Sequence, residues 1–280
     1  MRFVSVTKPG IIFGNIITAL GGYFLGSQGH FNLKLLVGTL VGMSLIIASG
    51  CVFNNYIDRD IDRLMERTKD RVLVKGLISI KVAILYAVVL GLLGLLALCL
   101  TTNLLTVSVA LSGLFIYVIA YSLYWKRKSL LGTAIGGISG AVPPVVGYCA
   151  VTNHFDIGAW TLFVMLFLWQ MPHFYAISIY RLSDYSAAAI PILPLKKSMH
   201  YTKVTMLIFI ILFAIVALLP SLLGYTGYIY FVITLLLGLL WIGVGIRGLT
   251  TTQDKPWARK MFIISIIIIM ALSFLMAIKY

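Results

Sequence analysis

Acidic side chains are scarce in this chain: 8 Asp and Glu stand among 280 residues, against 22 Lys and Arg. Charged residues of both signs make up only 11% of the sequence, where a soluble domain carries about 25%. That shortage excludes an ordinary water-soluble fold. Cysteine is also rare, and Cys51, Cys99 and Cys149 share no metal-ligand spacing. A zinc ribbon and a disulfide scaffold are both excluded, and the three read as free, buried thiols. There is no linker, low-complexity stretch or soluble insert, so residues 1–280 are expected to form one membrane domain.

Hydrophobic residues make up 61% of the chain instead. A bilayer-crossing helix needs about 20 apolar residues, and nine such runs fit, near 10–27, 35–57, 79–99, 103–124, 130–151, 157–180, 202–222, 225–246 and 258–279. The expected fold is all-α: a polytopic integral membrane protein with nine transmembrane helices. The net charge of +14 would suggest nucleic acid in a soluble protein, but topology accounts for it here. With the N-terminus in the cytoplasm, 20 of the 22 basic residues fall inside and only Lys34 and Lys279 outside, as the positive-inside rule requires. The C-terminus then faces outward. The segment before Gly10 is too short and mixed for a cleaved leader, so the first run reads as a retained helix. External connections are short, while 58–76 and 181–201 are long and polar, which makes the cytoplasmic side the working face.

Four of the eight acids, Asp58, Asp60, Asp62 and Glu66, fall within nine residues at the cytoplasmic end of the second run. On a continuing helix Asn54, Asp58 and Asp62 recur at i, i+4 and i+8 and share one face. An amide oxygen and two carboxylates at a membrane surface suit a hard cation such as Mg²⁺, which is held by one or two carboxylates plus substrate phosphate oxygens. A phosphorylated substrate follows from that reading. The alternative is a solvated, charge-alternating helix end, although a plain flanking loop would be basic.

A second acid, Asp184, follows the sixth run directly on the same side of the membrane. Alone it reads equally as a loop residue; paired with the first motif it completes a site for Mg²⁺ on a diphosphate leaving group. Arg67, Lys69 and Arg71 follow the first motif, and Lys126 and Arg127 close the fourth run. Guanidinium forks and ammonium groups at those places suit phosphate oxygens, whereas topology alone covers Lys128, Lys196 and Lys260. His173 lies well inside the sixth run, where an ionisable group marks a polar cavity or serves as a hydrogen-bonded packing residue. Gly132, Gly136 and Gly140 read as close helix packing. Pro143-Pro144 then breaks the fifth run and suggests a cavity beside it.

These residues resemble the UbiA-type intramembrane prenyltransferases. The N-x-x-x-D-x-x-x-D motif is matched by Asn54, Asp58 and Asp62, and the R-T-x-x-R segment by Arg67, Thr68 and Arg71. The stretches at 51–76, 139–152, 169–175 (WQMPHFY) and 184–194 resemble the haem-modifying branch, through the whole chain. One departure stands out: Tyr180 occupies the place of the first acid in the usual D-x-x-x-D second motif, leaving Asp184 alone.

The resemblance implies a bundle of that type in a bacterial cytoplasmic membrane. It implies transfer of the farnesyl group of farnesyl diphosphate to a vinyl group of haem B, with addition of water and release of diphosphate. Mg²⁺ is the implied cofactor, held by Asn54, Asp58, Asp62 and Asp184. Arg67, Lys69, Arg71, Lys126, Arg127, His173 and Tyr180 are the candidate substrate contacts. The lipid bilayer and a haem A synthase or terminal-oxidase assembly are the implied partners, with no nucleic acid. Competing readings are a quinone or chlorophyll precursor as acceptor, a transporter lined by His173 and the broken fifth helix, and a non-catalytic haem-binding subunit. Polar residues gathered on one membrane face argue against the transporter, and the lack of paired deep histidines argues against the haem subunit.

Overall fold

The computed structural model describes residues 2–278. The described residues form helices and connections without strands. Nine of those helices are long and apolar enough to cross a membrane: α1 (Pro9–Ser27), α2 (Leu33–Ile57), α3 (Ile80–Thr101), α4 (Leu104–Lys128), α5 (Leu131–Thr152), α6 (Ile157–Tyr180), α7 (Met199–Leu222), α8 (Tyr228–Thr250) and α9 (Asp254–Leu275). Lys279, expected outside, lies beyond the described residues.

Polar caps fix where the spans begin. Asn32, Ser79, Asn103, Asp156 and Ser198 each accept a backbone N–H in the first turn of α2, α3, α4, α6 and α7, satisfying donors that lipid cannot. Pro9 opens α1, where a missing N–H costs nothing. Without a hydrophobic drive between helices in lipid, contact depends on close backbone approach. A Cβ on Gly22 of α1 would overlap the Pro144 carbonyl of α5, and one on Gly147 of α5 would overlap the Ala19 carbonyl of α1. Gly94 of α3 meets the Gly42 carbonyl of α2 in the same way, at 2.8 Å from a built Cβ. The opposite side of the bundle packs larger groups, with Phe213 and the fully buried Trp241 edge to face at 5.5 Å.

α5 breaks at Ala141, between helical segments Leu131–Gly140 and Val142–Thr152. Pro143 lacks the N–H that would continue the ladder, and Gln170 of α6 donates to the Gly137 carbonyl at 3.0 Å. The three glycines at intervals of four have different neighbours. Gly132 meets the Trp125 carbonyl, Gly136 meets Tyr121 of α4, and Gly140 meets the Gln170 amide of α6.

Several boundaries differ from expectation. α2 does not continue through its motif. It ends at Ile57, Asp58 takes φ −87° and ψ 1°, and a separate short helix covers Arg59–Asp62. The i→i−4 bonds Asp58 N to Asn54 O (2.9 Å) and Asp62 N to Asp58 O (2.8 Å) survive the bend. α8 runs to Thr250 and α9 starts at Asp254, because Trp257 is buried against Gly248 and donates to the Val244 carbonyl at 3.0 Å. Lys203 and Asp254 pair at 2.5 Å and tie α7 to the start of α9. Cys51 and Cys149 are buried as expected, but Cys99 is exposed on the outer side of α3, and all three are free.

The α1–α5 seam generates a stability prediction. Gly147→Ala forces two backbones apart and should destabilise the protein by about 1–3 kcal/mol. Gly243→Ala, where a Cβ meets nothing within 4 Å, should leave stability unchanged or raise it by up to about 1 kcal/mol. Melting of the two detergent-solubilised variants side by side checks both. Equal melting temperatures would contradict the seam.

Candidate active site

A cavity of about 700 Å³ opens among α1, α2, α4, α5, α6 and α9, a size that takes small-molecule ligands. Its deep wall is mostly apolar, with Ile17, Met43, Ile46, Leu166, Ile269 and Met270 among the lining residues. Ile11 and Phe13 of α1 line it while remaining exposed, so the wall is incomplete on that side. The wall at the end bearing the two long connections is polar and charged, formed by Lys8, Asn54, Asp62, Arg67, Arg71 and Lys126.

The two long connections close over that end. Ile61 and Met65 of the first pack on Ala188, Ile190 and Ile192 of the second. Asp184 accepts the Glu66 backbone N–H at 2.9 Å. Asp184 is thus buried at the junction of the two connections and does not line the cavity wall.

Asp58 is fully buried beside the charged wall. Its Oδ2 accepts from Lys126 Nζ and from Asn54 Nδ2, the latter at 2.8 Å. Its Oδ1 has no hydrogen-bond partner, with the Arg127 guanidinium at 3.7 Å. Asn54 is satisfied on every side. Its second N–H goes to Ser122 Oγ at 2.9 Å, and its Oδ1 accepts from Lys8 Nζ at 2.5 Å. Ser122 donates to the Tyr117 carbonyl at 2.8 Å, so its oxygen can only accept from Asn54, which fixes the orientation of the amide. Asp62 lines the cavity and accepts from Arg71 at 2.5 Å, while Thr68 donates to the Asp62 carbonyl at 3.0 Å.

Two features here had no signal in residue spacing. Residues Ile116–Trp125 of α4 form a π-helix, a wound-out register that recurs at functional sites. It presents Tyr117, Tyr121 and Lys126 to the cavity and Ser122 to Asn54. Lys8, in the left-handed region at φ 56°, reaches the motif from 46 residues away. Burial first, and the neighbouring Arg71 second, lower its ammonium pKa to about 8.

Three expected substrate contacts lie off the cavity. Lys69 pairs with Glu66 at 2.6 Å in solvent. Arg127 is spent on Asp60, at 2.6 and 2.7 Å, and on the Ile57 carbonyl. The Asp60 carboxyl is held at about 2 chiefly by that Arg127 hydrogen bond. Tyr180 sits under the Arg181 guanidinium, 4.8 Å from its ring centre, and does not line the cavity. Arg67, Arg71, Lys126 and His173 do line the cavity.

Among the described residues no three carboxylate, imidazole or thiol groups converge as a ready-made metal cage. The carboxylates of Asp58 and Asp62 nonetheless fit a hard cation that shares its coordination with phosphate and water, and Asn54 Oδ1 joins them when Lys8 leaves it for phosphate. The buried Asp58 Oδ1 accepts no hydrogen bond, with only the Arg127 guanidinium near it at 3.7 Å, and so keeps capacity for a further cation.

The UbiA prenyltransferase family model matches residues 15–267. Protoheme IX farnesyltransferase of Yersinia pseudotuberculosis serotype O:1b (strain IP 31758) is 52% identical over 279 residues, covering 100% of this chain and 95% of that protein. Protoheme IX farnesyltransferase of Cronobacter sakazakii (strain ATCC BAA-894) gives the same identity and coverage. Among solved structures, a digeranylgeranylglyceryl phosphate synthase superposes with TM-score 0.80 at 19% identity, covering 99% of this chain and 98% of the other. A UbiA homolog from Archaeoglobus fulgidus bound to GPP and Mg²⁺ gives TM-score 0.71 at 16% identity, covering 99% of both chains. At those identities the solved structures speak to the fold alone.

The charged wall should hold inorganic diphosphate. Lys8→Met and Arg71→Met should each weaken its binding about tenfold, the loss of one charge-assisted hydrogen bond. Lys69→Met should leave binding unchanged. Calorimetric titration of the purified protein distinguishes the sites, and equal losses for all three would mean that only bulk charge counts.

Proposed function

The chain belongs to the UbiA prenyltransferase family and is a multi-pass membrane prenyltransferase; we propose that it joins the farnesyl group of farnesyl diphosphate to a vinyl group of haem B, with addition of water. The observation that carries this reading is the cavity itself, a charged mouth over a long apolar interior, together with full-length relatives at 52% identity that are named for that transfer. The whole chain acts as one domain in a bacterial cytoplasmic membrane, with 58–76 and 181–201 on the cytoplasmic side. A downstream haem-modifying enzyme or oxidase assembly would take the product.

Lys8, Arg67, Arg71 and Lys126 bind the diphosphate at the mouth and stabilise the charge it gains as the allylic C–O bond breaks. Asp58 and Asp62 would hold Mg²⁺, joined by Asn54 once Lys8 turns to the diphosphate, and Mg²⁺ when bound adds positive charge at the leaving group, while Asp184 ties the two connections together. The farnesyl chain lies along the apolar wall. The π electrons of the haem vinyl group form the new C–C bond, and water adds to the carbon left electron-poor next to the ring. The two packed connections shield the ionising carbon from bulk water, which would otherwise divert it to farnesol. His173 belongs to the haem side of the cavity, and both substrates enter from the bilayer past Ile11 and Phe13.

Membranes containing the protein, given haem B, farnesyl diphosphate and Mg²⁺, should yield a pigment heavier by one farnesyl group and one hydroxyl group, the second proton of the water being released. A pigment lacking those additions sinks the reading. Asp58→Asn and Asp62→Asn should each lower turnover about a hundredfold or more at matched protein level, as when a leaving-group contact is lost. Asp60→Asn should stay close to normal, since Asp60 is exposed and faces Arg127 rather than the cavity. Near-normal product from either of the first two variants would remove the metal assignment.

A further inference from the structure

Hydroxyl protons can be counted at one place in the deep wall. Ser265 of α9 lies 2.6 Å from the Phe262 carbonyl oxygen and 2.7 Å from His173 Nδ1. A carbonyl can only accept, so the single Ser265 proton points at Phe262. The Ser265 oxygen must therefore accept from His173, which places the imidazole proton on Nδ1. Nε2 is left with its lone pair, and among the described residues no donor reaches it.

The ring is also clamped. Trp169 stacks on His173 with centroids 4.7 Å apart and planes at 23°, and Phe262 lies against it at 4.9 Å. Trp169 is itself pinned, donating from its indole N–H to the Ser265 carbonyl at 2.8 Å. With two aromatic rings packed against it and one edge held by Ser265, the bare nitrogen edge remains for a ligand. His173 lines the cavity seven residues before the end of α6, roughly 10 Å along the helix axis.

We infer that His173 Nε2 is an axial ligand to the iron of the acceptor haem, and that Ser265 is the positioning residue that sets its tautomer and ring plane. The inference rests on haem B being the acceptor. A porphyrin is flat, with its metal at the centre and its vinyl groups at the rim. A vinyl edge meeting the prenyl carbon near the charged mouth therefore carries the metal deeper, on the side of His173. The Nδ1–H donated to an oxygen is the outer partner that metal-bound histidines generally have, and it fixes which nitrogen binds. The Nε2 lone pair enters a coordination bond, no proton moves, and the iron keeps its oxidation state. Ligation holds the porphyrin in one rotation, so that one vinyl group is presented to the prenyl carbon.

The test uses the full-length protein in detergent, titrated separately with ferric haem B and with metal-free protoporphyrin IX. Wild type should bind haem with the spectrum of an imidazole-ligated iron. His173→Ala should weaken haem binding about tenfold or more, leave metal-free porphyrin binding unchanged, and recover the imidazole spectrum when free imidazole is added. Ser265→Ala should keep haem bound but raise its reduction potential, since the ligand loses the partner that makes it more basic, and Ser265→Thr should restore it. Equal losses for haem and metal-free porphyrin in His173→Ala would make the ring a packing wall and overturn the ligand. A potential unmoved in Ser265→Ala would overturn the positioning role. A wild type that makes farnesylated haem but shows no imidazole ligation sinks the ligand alone. One that binds neither porphyrin nor makes that product sinks the acceptor assignment beneath it.

Discussion

A carboxylate with no exposed surface at the edge of a bilayer has to be neutralised, and the charged end of this protein is organised around doing so for Asp58. Burial of an unpaired charge is far more expensive than any surface ion pair repays. The chain answers with Lys126 and with Asn54, which is held in turn by Ser122 and Lys8. These contacts bring α2 and α4 together at one Asp58 oxygen, and Lys8, just before α1, reaches it through Asn54. The arrangement leaves the second oxygen of Asp58 without a hydrogen bond, the Arg127 guanidinium standing 3.7 Å away. A cation arriving with diphosphate would complete a network that the protein has only half satisfied.

Much of this was legible in the sequence because its signals are local. Nine apolar runs gave nine helices, and Asn54, Asp58 and Asp62 kept their i→i−4 bonding even though the helix bends at Asp58. The break in α5 and the cavity beside it followed from Pro143-Pro144. What failed was partner choice among the basic residues. Arg127 and Lys126 are adjacent, so no pattern says that one goes to exposed Asp60 and the other to buried Asp58. Lys69 is likewise only two residues from Arg71, yet it faces solvent. Lys8, Ser122 and Ser265 gave no signal because their partners lie 46, 68 and 92 residues away.

The cavity separates two chemical tasks by depth. Its cations are confined to the mouth, where a diphosphate would leave in the proposed reaction, and the interior offers apolar and aromatic surface. A positive carbon forming just inside the mouth would meet no ammonium group deeper in, only ring faces such as the stacked Tyr117 and Tyr121, 5.9 Å apart. Aromatic faces attract positive charge and do not capture it as a nucleophile would. The fully polar alternative, a hydrated funnel, would hydrolyse the same carbon.

The π-helix makes that separation compatible with a single span. Tyr117 and Lys126 are nine residues apart, about two and a half turns of an α-helix, which would put them on opposite faces. With i→i+5 bonding the same nine residues make about two wider turns, and both side chains reach one cavity. The Ser122 hydroxyl bonds the carbonyl five residues back and accepts from Asn54, so the register and the motif hold each other in place. An α-helical α4 could offer the aromatic wall or the cation that neutralises Asp58, but not both. The irregular register therefore links the neutralised carboxylate to the shape of the interior.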